Sequence, residues 1–268
     1  MIRVADLIRF DRKTDNGRTE PLRVTVATAD GEEHEAIMKL SSGAECSIEG
    51  LANEMLGSLL AADLGFPVNE PFLVQIAPDF AAIVPDIALR NRLLASSPVA
   101  FASMDAGKQW RRWSPSDKVR SGQIGLALAV LSFDAFIGNN DRSPINANLL
   151  VKDQSWRLID HESAFRFRPK LFPRCEPWKT GNLELLKRYG EDSEHIFTKQ
   201  LAGRDDLDFT AIRTKWADLS DARLAQYEAT LPEEWEEFRP IFAQAISHLK
   251  QVRDQIDNCI EELKRVLS

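Results

Sequence analysis

The sequence predicts an α+β protein with a β-rich first third and a larger, mainly helical remainder. Three observations carry this. Up to about residue 88, short apolar runs with partial alternation are separated by polar turns, the pattern of strands. A strongly apolar helical stretch follows, DKVRSGQIGLALAVLSFDAFIG, with too little polar surface to lie on the outside of a protein. The C-terminal RPIFAQAISHLKQVRDQIDNCIEELKRVL then places Ile241, Ala245, Leu249, Val252, Ile256, Ile260 and Leu263 on one helical stripe.

In chain order, ADLIRFDR and LRVTVATA read as strands joined by the polar loop KTDNGRTEP, and HEAIMKL follows the turn DGEE as a third. SIEGLANEMLGSLLAADLGF spaces Ile48, Leu51, Met55, Leu59 and Ala62 as a helix that Gly65 and Pro67 close. PFLVQIAP and AAIVPDIA read as two more strands, so residues 1–88 form a small sheet with one helix laid across it. Residues 89–268 form a helical unit interrupted by the β-hairpin NLLVKDQSWRLID. No repeat or low-complexity linker separates the two units, and the cleft between them is the natural place for a ligand.

Composition narrows the function classes. A chain of 268 residues buries about three quarters of its unfolded surface, and 44% hydrophobic with 28% charged residues is ordinary for a globular protein. The net charge of -7 argues against a nucleic-acid or anionic-membrane binder. Three scattered cysteines and four scattered histidines suggest neither a disulfide framework nor a zinc site. With no signal-peptide pattern and no run near about eighteen apolar residues, a cytoplasmic protein without a membrane span is expected.

The stretch FIGNNDRSPINANLLV concentrates short polar side chains between two apolar runs. An Asx-rich turn would explain it; so would a ligand site. A D-x4-N spacing does not decide, because four such pairs occur: Asp11/Asn16, Asp86/Asn91, Asp134/Asn139 and Asp141/Asn146. Context favours the last. Asn146 leads into the hairpin whose second strand runs to Asp160, and the two ends of an antiparallel hairpin lie side by side. Asp141, Asn146 and Asp160 then offer carboxylate and amide oxygens to a small hard cation. In phosphoryl transfer one Asp orients the attacking hydroxyl, while an Asn and a second Asp hold Mg²⁺ on the nucleotide. Such a site needs a cation for the phosphates. Lys39 ends a strand, and Glu54 in the following helix could hold it by an ion pair. Taken singly, each has a plain alternative: Lys39 and Glu54 as solvated charges, Asp160 as a turn cap.

In these residues the sequence resembles the HipA-like kinase family, bacterial relatives of the protein-kinase fold, and among them the shorter members. The matching pieces are NGRTEPLRV, EAIMKL with Lys39, NEMLGSLLAADLGFPVNEPFLV with Glu54, FAS at Phe101 to Ser103, NNDRSPINANLLV and LIDHESAF. The resemblance implies a two-lobed kinase fold, ATP and Mg²⁺, and a protein Ser or Thr hydroxyl as acceptor. It implies Asp141 as catalytic base, Asn146 and Asp160 as metal ligands, Lys39 as phosphate-binding lysine, Glu54 as its partner and Gly17 in the nucleotide loop. Asn148, directly before LLV, rivals Asn146. It further implies autophosphorylation and a toxin role with an antitoxin partner. Departures are Ser143, where many relatives have a basic residue, and DHE in place of DFG. Two alternatives stay open: a small-molecule or lipid kinase, suggested by Asp141-Arg142, and a catalytically weak nucleotide-binding module.

Two further segments stand out. KQWRRW, Lys108 to Trp113, mixes cations with indoles, as nucleic-acid contacts do, or is a patch with half-buried tryptophans. RFRPKLFPRCEPW, Arg166 to Trp178, is a basic strip suited to an acidic substrate, with Arg168 and Arg174 as its test positions, or an ordered loop.

Overall fold

The computed structural model describes residues 2–14, 19–165, 175–186 and 194–268. Its N-terminal part is a closed five-stranded barrel in the order β1-β2-β3-β5-β4. The strands are β1 (Arg3–Lys13), β2 (Leu22–Thr28), β3 (Glu33–Lys39), β4 (Pro71–Gln75) and β5 (Val99–Met104). All neighbours are antiparallel except β1 and β4, whose parallel pairing, Arg3 opposite Phe72 to Asp6 opposite Gln75, closes the ring. The small sheet expected from the sequence is thus closed, and closure leaves no edge to pair with another chain. Leu22, Val24, Val26, Ala36, Met38, Phe72, Val74, Ala100 and Ala102 fill the interior.

The strand expected at AAIVPDIA is not one. These residues belong to two short helices, α2 (Pro78–Ile83) and α3 (Ile87–Ala95). Pro78 opens the first, and Asp86 caps the second by accepting from Leu89 N at 3.0 Å. Ala81, Val84, Leu89 and Leu93 pack against the barrel core at helical spacing, while Ile83 and Ile87 face solvent. Short apolar runs read equally as strand or helix. The fifth strand is β5 instead, which contains FAS, so residue 88 falls inside α3 and the barrel runs on to Met104.

Helix α1 (Ile48–Asp63) is buried continuously from Leu51 to Ala61 and packs on β4, β5 and a 3-10 segment at Glu233–Phe238. Ser47 caps its start, with Oγ accepting from Gly50 N at 3.0 Å. The second core joins α1 to α4 (Ile124–Ile137), α5 (Thr198–Leu201), α6 (Thr210–Ala217), α7 (Asp221–Ala229), α8 (Arg239–Asp254) and α9 (Ile256–Leu267). The long C-terminal stripe is thus two helices meeting at Gln255, whose ψ of 27° is not helical. Trp235 ties this core to the barrel, its Nε1 donating to Val99 O at 3.2 Å.

The predicted hairpin forms as β7 (Leu149–Lys152) and β8 (Ser155–Leu158), and KQWRRW adds a third strand, β6 (Arg111–Arg112), beside β7. Leu158 N donates to Pro67 O at 2.9 Å, which fixes the hairpin against the segment leaving α1. Among the described residues no helix is long and apolar enough to cross a membrane, and Cys46, Cys175 and Cys259 are free.

Candidate active site

A cleft of about 1280 Å³ runs between the barrel and the β6-β7-β8 sheet, lined on one side by β3 and β5 and on the other by the Asp141 loop and the residues after β8. Lys39, Glu54, Asp141, Asn146 and Asp160 all line it. Gly17 lies outside the described residues, as do Arg166 to Arg174 of the basic strip.

Lys39, at the end of β3, joins that strand to α1 and to the segment after β8. Its Nζ lies 2.8 Å from Glu54 Oε1 on α1, 2.8 Å from Asp160 Oδ1 after β8, and 3.0 Å from Glu162 Oε2. An ammonium has three N–H donors; Asp160 and Glu162 accept hydrogen bonds from it, and Glu54 is its ion-pair partner. Burial alone would lower the Lys39 pKa, but these charges hold it well above an ordinary lysine. One cation cannot serve three anions equally. Asp160 is desolvated, yet Lys39 keeps its pKa below the usual carboxylate value, whereas burial raises Glu54 and Glu162. Glu54 is also fixed from behind, because its Oε2 accepts the backbone N–H of His161. Glu162 is the residue that sequence reading missed. It follows Asp160 by two, in the place of the glycine of DFG, and that departure was the only signal of a side chain there.

Asp141 faces the same cleft. Its Oδ2 accepts from Asn146 Nδ2 at 2.8 Å and from Asn148 Nδ2 at 3.2 Å, so both candidate asparagines touch it. Asn146 lines the cleft, while Asn148 is 4% exposed and its carbonyl receives Ile159 N at 3.1 Å. Asn148 and Asp160, at the two ends of the hairpin, both hold left-handed backbone, with φ of 44° and 64°. Asn and Asp tolerate this better than most residues, and it turns the Asp160 carboxylate toward Lys39. Burial, then the nearby Asp160 charge, raises the Asp141 pKa.

Arg142 does not face the cleft. It is fully buried, with Nε 2.5 Å from Asp134 Oδ2 on α4, and it also donates to the carbonyl of Asn148. Asp134 additionally accepts from Asn139 Nδ2 at 2.8 Å and lies 3.0 Å from His195 Nε2. The Asp134/Asn139 pair, one of the four D-x4-N matches, is therefore a structural clamp under the Asp141 loop. Arg142, which suggested a lipid-kinase loop, has a scaffolding role.

His161 occupies the middle of DHE. It is 1% exposed, its ring meets Phe133 edge-on at 5.8 Å, and neither ring nitrogen finds a hydrogen-bond partner among the described residues. It lies against Gly57 of α1, where a Cβ would come within 2.4 Å of the His161 Cβ. Only glycine lets α1 approach this closely.

The donor set fits a small hard cation. Asp160, Asp141 and the Asn146 amide oxygen offer oxygen ligands only, and the carboxylates around Lys39 outnumber its one ammonium. Ile37, Phe101, Leu150 and Ile159 add apolar surface to the cleft lining, of the kind a flat heteroaromatic ring packs against.

Comparison with known proteins follows the same line. No curated protein matches the sequence. Among solved structures, the crystal structure of a Helicobacter pylori proinflammatory kinase, CtkA, is similar at 10% identity with a TM-score of 0.50, covering 97% of this chain and 99% of that one. At that identity the likeness concerns the fold. A family model described as HipA-like kinase matches residues 7–172, which include all of the barrel but the start of β1, together with α1, the Asp141 loop and the hairpin. With more than half its length matched, this chain belongs to the HipA-like kinase family.

Proposed function

We propose that the protein is a two-lobed, ATP-dependent serine/threonine protein kinase. In this reading the barrel through Met104 is the smaller lobe and the helical core the larger. The observation that carries it is the contact of Lys39 with both Glu54 and Asp160 across a cleft that also holds Asp141. Family membership makes phosphoryl transfer the reaction class.

The apolar lining of Ile37, Phe101, Leu150 and Ile159 takes the adenine, which directs the triphosphate toward Lys39. Lys39 is held extended by Glu54 and neutralises phosphate charge with the donors that face the cleft. The acceptor hydroxyl lies against Asp141, kept in place by Asn146 and Asn148. As the hydroxyl oxygen bonds to the γ-phosphorus, the bond to the β–γ bridging oxygen breaks. The hydroxyl proton passes to Asp141 Oδ, whose raised pKa suits it to receive one.

Asp160 and Asn146 are the residues that would hold Mg²⁺, which when bound supplies charge neutralisation to the transferring group. Among the described residues no three His, Cys, Asp or Glu side chains form a complete cage for an ion; Mg²⁺ ordinarily completes its shell from water and substrate phosphates.

Intact-mass measurement after incubation with ATP and Mg²⁺, alone and with cell extract, tests the proposal. A gain of one phosphate on this chain or on an extract protein, lost in Asp141→Asn, is expected. ATP binding without transfer would favour the nucleotide-binding module, a reading supported by Ser143 in place of a basic residue. Transfer to a small molecule alone would favour the other kinase class. The resemblance also supports self-phosphorylation, a cytoplasmic toxin role and an antitoxin partner; growth arrest on expression, abolished by Asp141→Asn, would be the cellular sign.

A further inference from the structure

The cleft holds buried carboxylates, yet its exposed charged lining is three cations to one anion, Glu45. Arg12 on β1, Lys108 and Arg112 on β6 all line it and are exposed. Among the described residues none of the three has a carboxylate partner. Arg3, Arg9, Arg92, Arg111, Arg223 and Arg253, by contrast, each meet an Asp or Glu.

The segment carrying two of these cations is built rather than loose. Trp113 is 7% exposed and meets Trp156 and Phe197 edge-on at 5.4 and 5.5 Å. Asp105 accepts from Gly107 N at 3.1 Å, and Arg111 forms two 2.6 Å bonds with Asp117. Trp110 remains at the cleft as a half-buried shelf. The Arg157 guanidinium stacks over its ring at 4.9 Å, and Asn69 holds that arginine at 2.7 Å. KQWRRW therefore divides into one core anchor and one wall of the cleft.

We propose that Arg12, Lys108 and Arg112, with Trp110 as an apolar shelf, dock an acidic segment of the protein substrate beside the phosphoacceptor hydroxyl. The proposal rests on the kinase reading for the position of that hydroxyl at Asp141. Unpaired cations attract carboxylates, and the rim shares one cleft with Asp141, so a peptide crossing it delivers its hydroxyl to the carboxylate. A single-stranded nucleic acid fits less well. Successive bases need successive stacking faces, and folding has buried the second indole.

The test uses a fluorescent peptide with one serine among glutamates, a second with lysines in their place, and the triple variant Arg12→Glu, Lys108→Glu, Arg112→Glu. These positions are exposed, and an unchanged circular dichroism spectrum confirms folding of the variant. Anisotropy should show the wild type binding the glutamate peptide about tenfold tighter than the lysine peptide, the size three exposed charge pairs can give. The triple variant should abolish or reverse that preference, with ATP affinity unchanged. Raising ionic strength should erode it. Equal affinity for both peptides overturns the proposal. So does a triple variant that loses ATP binding, which would assign the rim to the nucleotide, and so does tighter binding of a single-stranded oligonucleotide than of the glutamate peptide. Binding is read without turnover. A rim-dependent preference in a protein that transfers no phosphate would therefore count against the kinase reading alone.

Discussion

Asp134 and Arg142 form an ion pair that solvent does not reach, Nε to Oδ2 at 2.5 Å with both side chains 0% exposed, directly behind the loop that presents Asp141. Arg142 also binds the carbonyl of Asn148, so a single guanidinium joins α4, the loop and the first residue of the hairpin. Removing one partner leaves a buried charge uncompensated. Asp134→Leu and Arg142→Met should each lower unfolding free energy by about 3–5 kcal/mol. The double variant should cost less than the sum, and urea denaturation of the three proteins measures the coupling.

Buried neutral histidines set the acid side of stability. Burial pushes His161 down to about 3 and His248 down to about 4, against about 6.5 in the unfolded chain. Between these limits the unfolded state binds more protons, so stability rises with pH. It should be full above about pH 6.5 and decline as pH falls toward 4. Asp134 adds to the decline further down. Arg142 and His195 hold its carboxyl well below the usual range against the opposing effect of burial, so its contribution is lost as pH drops below the unfolded value near 4. His161→Phe should flatten the first part of the profile. It should also stabilise the protein at pH 7 by about 1 kcal/mol, since two unbonded buried nitrogens are removed. Denaturant titrations from pH 4 to 8 measure both effects.

Asp141→Asn and Asp160→Asn should each reduce phosphoryl transfer by at least about a hundredfold, the usual cost of losing one preorganised electrostatic group. The two should differ in binding. Asp141→Asn keeps Lys39 paired and should bind ATP as the wild type does, while Asp160→Asn should weaken metal-dependent ATP binding. A wild-type rate in either variant would sink the mechanism.

Gly57→Ala places a methyl 2.4 Å from the His161 Cβ, and neither α1 nor the His161 segment can yield without moving Glu54 or Asp160. A loss of about 1–3 kcal/mol is expected, together with reduced transfer. His161→Gly, which removes the clashing Cβ, should restore part of both in the Gly57→Ala background, which thermal melts and rate measurements would reveal.

Much of this was legible in the sequence because it rests on local periodicity. Strands β1 to β4, helices α1 and α4 and the hairpin follow from runs of apolar residues whose spacing a single segment displays. The exchange of AAIVPDIA for β5 was not legible that way. A short apolar run carries no period of its own, and whether it becomes strand or helix depends on which neighbour needs a partner; Val99–Met104 took the place between β3 and β4.

The sequence by itself determined the residue types that chemistry needs and their order along the chain: Lys39, Glu54, Asp141, Asn146 and Asp160. Only the tertiary structure decided which of them touch. It added Glu162 to the lysine, gave both asparagines to Asp141, turned Arg142 inward to Asp134, and closed the sheet into a barrel. The physical reason is range. Helical and strand periodicity is written within a few residues, but Lys39 meets carboxylates more than a hundred positions away, and such encounters are set by how the whole chain packs.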